Sequence, residues 1–369
     1  MNKKEILEIK RQFTPDNCSI FRICGCYVDG EKNIKTNFQK AFLLLPEEEI
    51  FKYFEIFRKG LSGKIGKNLF NMDFPRESER HGEAYSILQK LRSSNLKNDD
   101  LMLEFYQKII DNYNYVGNYL ILMIYGSYDI PGKSSDGTEM EDASDEVYNY
   151  IMCCVCPVKL SKAGLSFDEQ DGEFQNRIRD WVVGMPDTAF LFPAFNDRST
   201  DIHAALLYAK KDIPEEFVNG ILGTAVPQSS DYQKIGFSEL IESTLGTGST
   251  STAVKGIYES LMELAEENRD NPEVKTLNKE EIFDIFQKNS DTVNRDELYT
   301  LYEHLFGNED LVLPNLIGNG IININLPGIS VKSVDEYSGD IEVKMIDGRK
   351  CLVIGIAGDF EVNGTKCER

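Results

Sequence analysis

The stretches Asn118–Ile130, NYLILMIYGSYDI, and Glu146–Ser161, EVYNYIMCCVCPVKLS, decide the class of this chain. Each holds an apolar run bounded by polar or turn residues and rich in Ile, Val, Tyr and Met, which reads as a strand. The longest uninterrupted run, Tyr119–Tyr125, is too short to cross a bilayer.

Upstream, CSIFRICGCYVDGEKNIKTNFQKAFLLL reads as two strands about the Asp29-Gly30 hairpin signal, with Gly30 expected to take the positive φ of a tight turn. PEEEIFKYFEIFRKGLSG then opens with Pro46 and three glutamates, ends at Gly60 or Gly63, and spaces Ile50, Phe51, Phe54 and Phe57 as a helix face. EAYSILQKLRSS and DDLMLEFYQKIIDNY are helical by period. Downstream, FQNRIRDWVV reads as a short helix or edge element, DTAFLFPAFN as a strand, DIHAALLYAK as a strand or a helix, and PEEFVNGILG as a helix.

From Pro227 the composition changes. DYQKIGFSELIESTLG, STAVKGIYESLMELAEEN, NKEEIFDIFQKN and RDELYTLYEHLFG form four amphipathic patterns, with the Gly/Ser/Thr linker Thr247–Thr252 among them. From Leu311, GIININLPGISVKSV and DIEVKMIDGRKCLVIGI read as strands, the second pair turning at Asp347-Gly348. The expected fold is α+β: a mixed-sheet domain with helices over 1–226, a helical segment over 227–310 and a β-rich segment over 311–369.

Charge narrows the partners. The net charge is −21, from 40 basic and 61 acidic residues, which opposes unspecific attraction to nucleic acid or an anionic membrane. The acidic run Asp136–Tyr148, DGTEMEDASDEVY, reads as a solvated loop. The start, MNKKEILEIKRQF, has no apolar core of a signal peptide, so a cytoplasmic protein with no membrane partner is expected.

Three constellations carry possible chemistry. GSYDIPGKSS, Gly126–Ser135, imitates a phosphate-binding loop, but five residues rather than four separate its glycines and Pro131 lacks an N–H. It reads as a plain loop. Cys24, Cys26, Cys154 and Cys156 would gather four thiolates if CGC and CCVC lay on neighbouring strands. Their one-residue spacing and apolar flanks favour buried cysteines in a reducing compartment. No metal or other cofactor is expected.

The third lies in DWVVGMPDTAFLFPAFNDRSTDIHAALLYA, Asp180–Ala209. Asp201 and His203 would share a strand face, with Asp197 and Arg198 before them, and a carboxylate beside an imidazole can orient a general base. A hydrolase-type site at Asp197, Arg198, Asp201 and His203 is therefore one reading. The plainer one is a structural corner, with Arg198 paired to Asp197, Asp201 or Asp180, and Trp181 and Phe195 packed beside it. Arg177, Arg179, Trp181 and Arg198 also make a contact surface, since basic and aromatic groups together grip phosphate and stack on bases.

Over nearly its whole length the chain resembles an uncharacterised family of cytoplasmic proteins from anaerobic Gram-positive bacteria, a domain of unknown function. The resemblance is carried by MNKKEI, FRICGCYVDGEK, EEEIFKYFEIFRK, NYVGNYLIL, PGKSSDGTEMEDASDEVY, RIRDWVVG, FLFPAFNDRSTDIH and IDGRKCLVI. It implies no activity. In organisation alone, and in EEFVNGILGTAVPQSSDYQKIGFSELIESTL, the chain is similar to bacterial nucleoid-associated proteins. That likeness transfers no site residue. It implies a non-enzymatic interaction protein of the nucleoid or translation machinery, with nucleic acid or a ribonucleoprotein as partner. The helical middle and late hairpin are compatible with a homo-oligomer.

Overall fold

A computed structural model describes residues 1–133, 139–246, 251–317, 321–326, 329–334, 341–355, 360–362 and 365–367. The chain divides into two compact units, Met1–Ser229 and Ser230–Arg369. The fold is α+β, as the residue patterns require.

The first unit runs α1 (Lys3–Arg11), β1 (Ile20–Val28), β2 (Ile34–Ala41), α2 (Glu47–Gly60), β3 (Leu69–Asp73), α3 (Arg76–His81), α4 (Glu83–Ser93), α5 (Asp99–Asn112), β4 (Asn118–Lys133) and β5 (Glu139–Leu160). It continues through β6 (Leu165–Asp168), β7 (Glu173–Asn176), β8 (Trp181–Val183), β9 (Thr188–Phe192), β10 (Ala194–Asn196), β11 (Ser199–Asp201), β12 (Ala204–Ala209) and α6 (Glu215–Phe217), which runs on as a π turn over Val218–Leu222. The sheet order is β2-β1-β4-β5-β9-β12-β3, every neighbouring pair antiparallel, and β8 joins β5 beyond β9.

Both sheet faces are covered, which is why its central strands read as unbroken apolar runs rather than alternating ones. One face carries Cys24, Cys26, Ile121, Met123, Ile151, Cys153, Phe190 and Leu207 under α4 and α5, through Leu88, Leu91, Phe105 and Ile109. The other carries Ile23, Leu122, Ile124, Met152, Cys154, Cys156 and Leu206 under α1 and α2, through Ile9, Phe13, Phe54 and Phe57. Gly60 lets α2 come close: a Cβ there would stand 2.6 Å from Met152 Cε and 3.1 Å from Ala189 Cβ.

Three local expectations are corrected. The hairpin between β1 and β2 exists, but Lys32, not Gly30, takes the positive φ. The turn is held by the Asp29 carboxylate, which accepts from the N–H of Glu31 and Asn33 at 3.0 and 2.9 Å and from Lys35 Nζ at 2.6 Å. These contacts, Lys35 first, hold the Asp29 carboxyl down to about 2. The acidic run is no loop from Glu139 onward: that part opens β5, registered against Gly132 and Lys133 of β4. Residues 136–138 lie outside the described residues, as do Ser134 and Ser135 of the Gly-Lys-Ser imitation, whose described part is the end of β4. Of the two readings of FQNRIRDWVV only the helix fails; the edge element stands, as the segment is the end of β7, an irregular link and β8, which pairs with β5.

The second unit begins with α7 (Ser230–Leu245), α8 (Ser251–Glu267), β13 (Thr276–Leu277), α9 (Lys279–Asn289), α10 (Arg295–Phe306), β14 (Leu311–Val312) and α11 (Leu313–Ile317). Phe237, Leu240, Ile257, Leu261, Phe286, Leu298, Tyr302 and Phe306 form its core. Asn278 and Glu281 close a capping box on α9, and Asn294 caps α10, so both helices start where their orphan N–H groups are satisfied. Of the Thr247–Thr252 linker, 247–250 lie outside the described residues and Ser251 opens α8. Three hairpins follow: β15 (Ile321–Leu326) with β16 (Ile329–Val334), β17 (Ile341–Ile346) with β18 (Arg349–Ile354), and β19 (Phe360–Val362) with β20 (Thr365–Cys367). Asp347 and Gly348 both take positive φ, 49° and 74°, as a two-residue hairpin turn requires. Among the described residues, no helix is long and apolar enough to cross a membrane.

Candidate interaction site

Beyond Thr188, where β9 begins, and Asn118, where β4 begins, β5 and β8 leave the sheet as a two-stranded arm. The register runs Val158↔Val183, Lys159↔Val182 and Leu160↔Trp181. It continues through Ser161 N–H donating to Asp180 O at 2.8 Å and Arg177 N–H donating to Gly164 O at 2.9 Å. β6 and β7 then pair from Leu165↔Asn176 to Asp168↔Glu173. The Asp168 carboxylate closes the tip by accepting from Gln170 N–H at 2.8 Å, while Gly172 supplies a φ of 70°. From Val158 to Asp168 an extended chain spans about 33 Å.

The arm is exposed along its length, yet much of it is apolar. Leu165 is 75% exposed, Phe174 72%, Ile178 85% and Trp181 55%. Alternation puts Leu165, Phe167 and Phe174 on one face, and the two phenylalanine rings meet at 5.3 Å. Polar groups are sorted along the arm. Lys159, Lys162, Arg177 and Arg179 stand at the root with one acid, Asp180, and Glu169, Asp171 and Glu173 at the tip, all exposed. Arg179 is oriented by donating from Nε to Ser161 O at 2.7 Å.

The structure brings Arg177, Arg179 and Trp181 together but leaves Arg198 elsewhere. Asp197 and Arg198 are the two central residues of the β10–β11 hairpin, both with positive φ, 50° and 53°. Arg198 Nη2 lies 3.2 Å from Glu8 Oε1, to which Tyr128 OH also donates at 2.9 Å, and 3.5 Å from Pro131 O. Pro131 is registered with Ser144 near the start of β5, whereas Trp181 is registered with Leu160 at its end. Sixteen strand residues correspond to about 50 Å.

A corner does form around Arg198, but with other partners than the sequence suggested. Glu8 takes the place of Asp180, Asp197 and Asp201. Phe195 packs on Tyr148 and Tyr128 at 5.0 and 6.0 Å, not on Trp181. The buried Glu5 carboxylate ties the corner to α1, accepting from Asn2 N–H and Asp197 N–H, each at 2.7 Å.

The hydrolase-type set does not converge. β11 ends at Asp201 and β12 starts at Ala204, so Asp201 and His203 do not share a strand face. Asp201 instead accepts from His203 N–H at 2.9 Å and from Asn196 Nδ2 at 2.6 Å. The largely exposed His203 ring meets Glu79 Oε1 through Nδ1 at 2.6 Å. Glu79 also lines an open cleft of about 560 Å³ along α3 and α4 with His81, Tyr85, Gln89 and Lys90. The pair can orient an imidazole, but the Asp201 carboxylate expected to help it is held by His203 N–H and Asn196 Nδ2.

The four-thiolate reading fails on geometry. Cys24 and Cys26 face α4 and α5, Cys154 and Cys156 face α1 and α2, and β4 separates their strands. Among the described residues, no group of three His, Cys, Asp or Glu side chains can share a metal ion. Burial raises the thiols of Cys24 to about 12 and Cys26 to about 11, and those of Cys153, Cys154 and Cys156 higher still. All five are buried apolar side chains.

A family model matches residues 1–365, and its description is "Domain of unknown function (DUF4317)". No curated protein matches the chain. Neither finding bears on a nucleoid likeness or on the kind of organism that carries the protein.

Proposed function

The chain belongs to the domain-of-unknown-function family DUF4317, which assigns no activity, and on that premise we propose that it is a non-enzymatic cytosolic interaction protein whose contact surface is the arm Val158–Val183. One observation carries the reading: Leu165, Phe167, Phe174, Ile178 and Trp181 are each more than half exposed along a single two-stranded element. Contiguous exposed apolar surface marks an interaction site. A two-stranded hairpin is also marginal by itself, so a docked surface stabilises it.

The chemistry favours a protein partner. Aromatic and aliphatic side chains between charged ends give the apolar centre and polar rim of protein contacts. Arg177, Arg179 and Trp181 could grip a nucleic acid, but the acidic tip and the net charge of −21 act against phosphate. Membership of a nucleoid or translation assembly would accordingly run through protein contacts.

The test is purification of the tagged chain from its host, at low and then high salt, beside a Phe167→Ser, Phe174→Ser variant. The wild type is expected to retain protein partners that the variant loses. Identical co-purifying material together with an identical oligomeric state in both would overturn the assignment of the arm. Nucleic acid held by both and released at high salt would place the contact elsewhere.

A further inference from the structure

We infer that the partner of the arm is a second copy of this chain, docked arm on arm about a two-fold axis, an inference that rests on the arm being the contact surface. The charge order along the arm is self-complementary. Its root carries Lys159, Lys162, Arg177 and Arg179 against a single acid, Asp180, and its tip Glu169, Asp171 and Glu173. A two-fold interface presents the same patch from both sides, so each residue meets its counterpart's partner. Two arms laid antiparallel set each acidic tip against the other's basic root. The apolar face with Leu165, Phe167 and Phe174 then stacks on its own copy. Sheet faces pack about 10 Å apart, with side chains interdigitating.

A parallel arrangement would set tip on tip and root on root, which like charges oppose. Charge thus fixes the direction while apolar burial supplies the affinity. A generic anionic or cationic partner would match one end of the arm only; a second copy matches both. Asp168 is left out of the cross-contact, because its carboxylate is already turned inward on Gln170 and Asp171 N–H.

Sedimentation velocity on the full chain tests this, from about 1 to about 100 µM, the range of modest interface affinities. The wild type is expected to pass from monomer to dimer as concentration rises. Arg177→Glu with Arg179→Glu removes the basic excess of the root, leaving two lysines against two glutamates and Asp180; Glu169→Lys with Asp171→Lys removes the acidic excess of the tip, leaving two lysines against Asp168 and Glu173. Each variant alone is expected to dimerise at least about 10-fold more weakly. An equimolar mixture of the two restores both cross-contacts and is expected to recover the dimer. Added salt should weaken the wild-type and mixed dimers alike.

A wild type that stays monomeric throughout overturns the inference, as does a dimer that neither variant weakens or a mixture that does not recover. Since all substituted residues are exposed, circular dichroism should report unchanged folds. A monomeric wild type whose Phe167→Ser, Phe174→Ser variant still loses host partners would overturn the second copy and leave the arm as contact surface. No effect of that variant on either readout would overturn both.

Discussion

Phe57→Ala is expected to lower the unfolding free energy of the first unit by about 3–5 kcal/mol. The side chain is fully buried on the face of the sheet covered by α1 and α2. The rings of Phe13, Phe42 and Tyr53 stand 5.8, 6.4 and 6.4 Å from it. Removing it deletes apolar contact and leaves a hole between elements that cannot close together. α1 is tethered through Glu5 to Asp197, and α2 is seated by Gly60 against Met152 and Ala189. Urea unfolding followed by circular dichroism should show a lower midpoint with an unchanged slope. A loss under about 1 kcal/mol would mean that α2 is not part of this core.

The second large effect is alkaline destabilisation. Burial pushes Cys153, Cys154 and Cys156 far above the ordinary thiol value of 9.0. It likewise raises Tyr106, Tyr148 and Tyr150 above 10.0. The folded state keeps these protons at pH values where the unfolded chain has begun to lose them. The unfolded state then binds fewer protons, so stability is complete below the unfolded thiol value and falls as pH rises beyond it. At pH 10 the three β5 thiols alone cost about 4 kcal/mol together. That is a large share of the roughly 5–15 kcal/mol available to a typical domain. Urea midpoints at rising pH should fall steeply above pH 9, and less steeply when the three cysteines are replaced by alanine. A flat profile to pH 10 would contradict their burial.

What the sequence made legible follows from how local each signal is. β4, β5 and β9 declared themselves because strands buried on both faces need uninterrupted apolar residues, whereas the segment of β12 also allowed a helix, since a short apolar run carries no period of its own. The helices declared themselves through period, and α2 also through Pro46 and the three glutamates that open it. The pairings that define the Arg198 corner were not legible. Glu8 and Arg198 are distant in sequence, as are Glu79 and His203, and no spacing rule joins them. Asp197-Arg198 looked like chemistry because its charges are adjacent; the positive φ of both residues shows that it is a turn.

The arm was half legible. Arg177, Arg179 and Trp181 stood out, but their exposure could not be read from composition, since a tryptophan among aliphatics looks like core. The overlooked signal was LSFDEQDGEFQN, where Asp171-Gly172 sits between two alternating segments as a hairpin turn does. The acidic stretch after Thr138 misled for the opposite reason. Charge there does not prevent strand pairing: after a register shift beyond Ser144 the ladder with β4 resumes at Met140 and Glu139.

The central claim is that the arm is a docked surface and not a free hairpin. Hydrogen–deuterium exchange of the β6 and β7 amides tests it most directly, with wild type and the Phe167→Ser, Phe174→Ser variant measured at low and high protein concentration. A two-stranded hairpin alone in water protects its amides poorly. The account predicts that Leu165–Asp168 and Glu173–Asn176 gain protection with concentration in the wild type and stay fast in the variant. Equal exchange in both proteins at every concentration would contradict it.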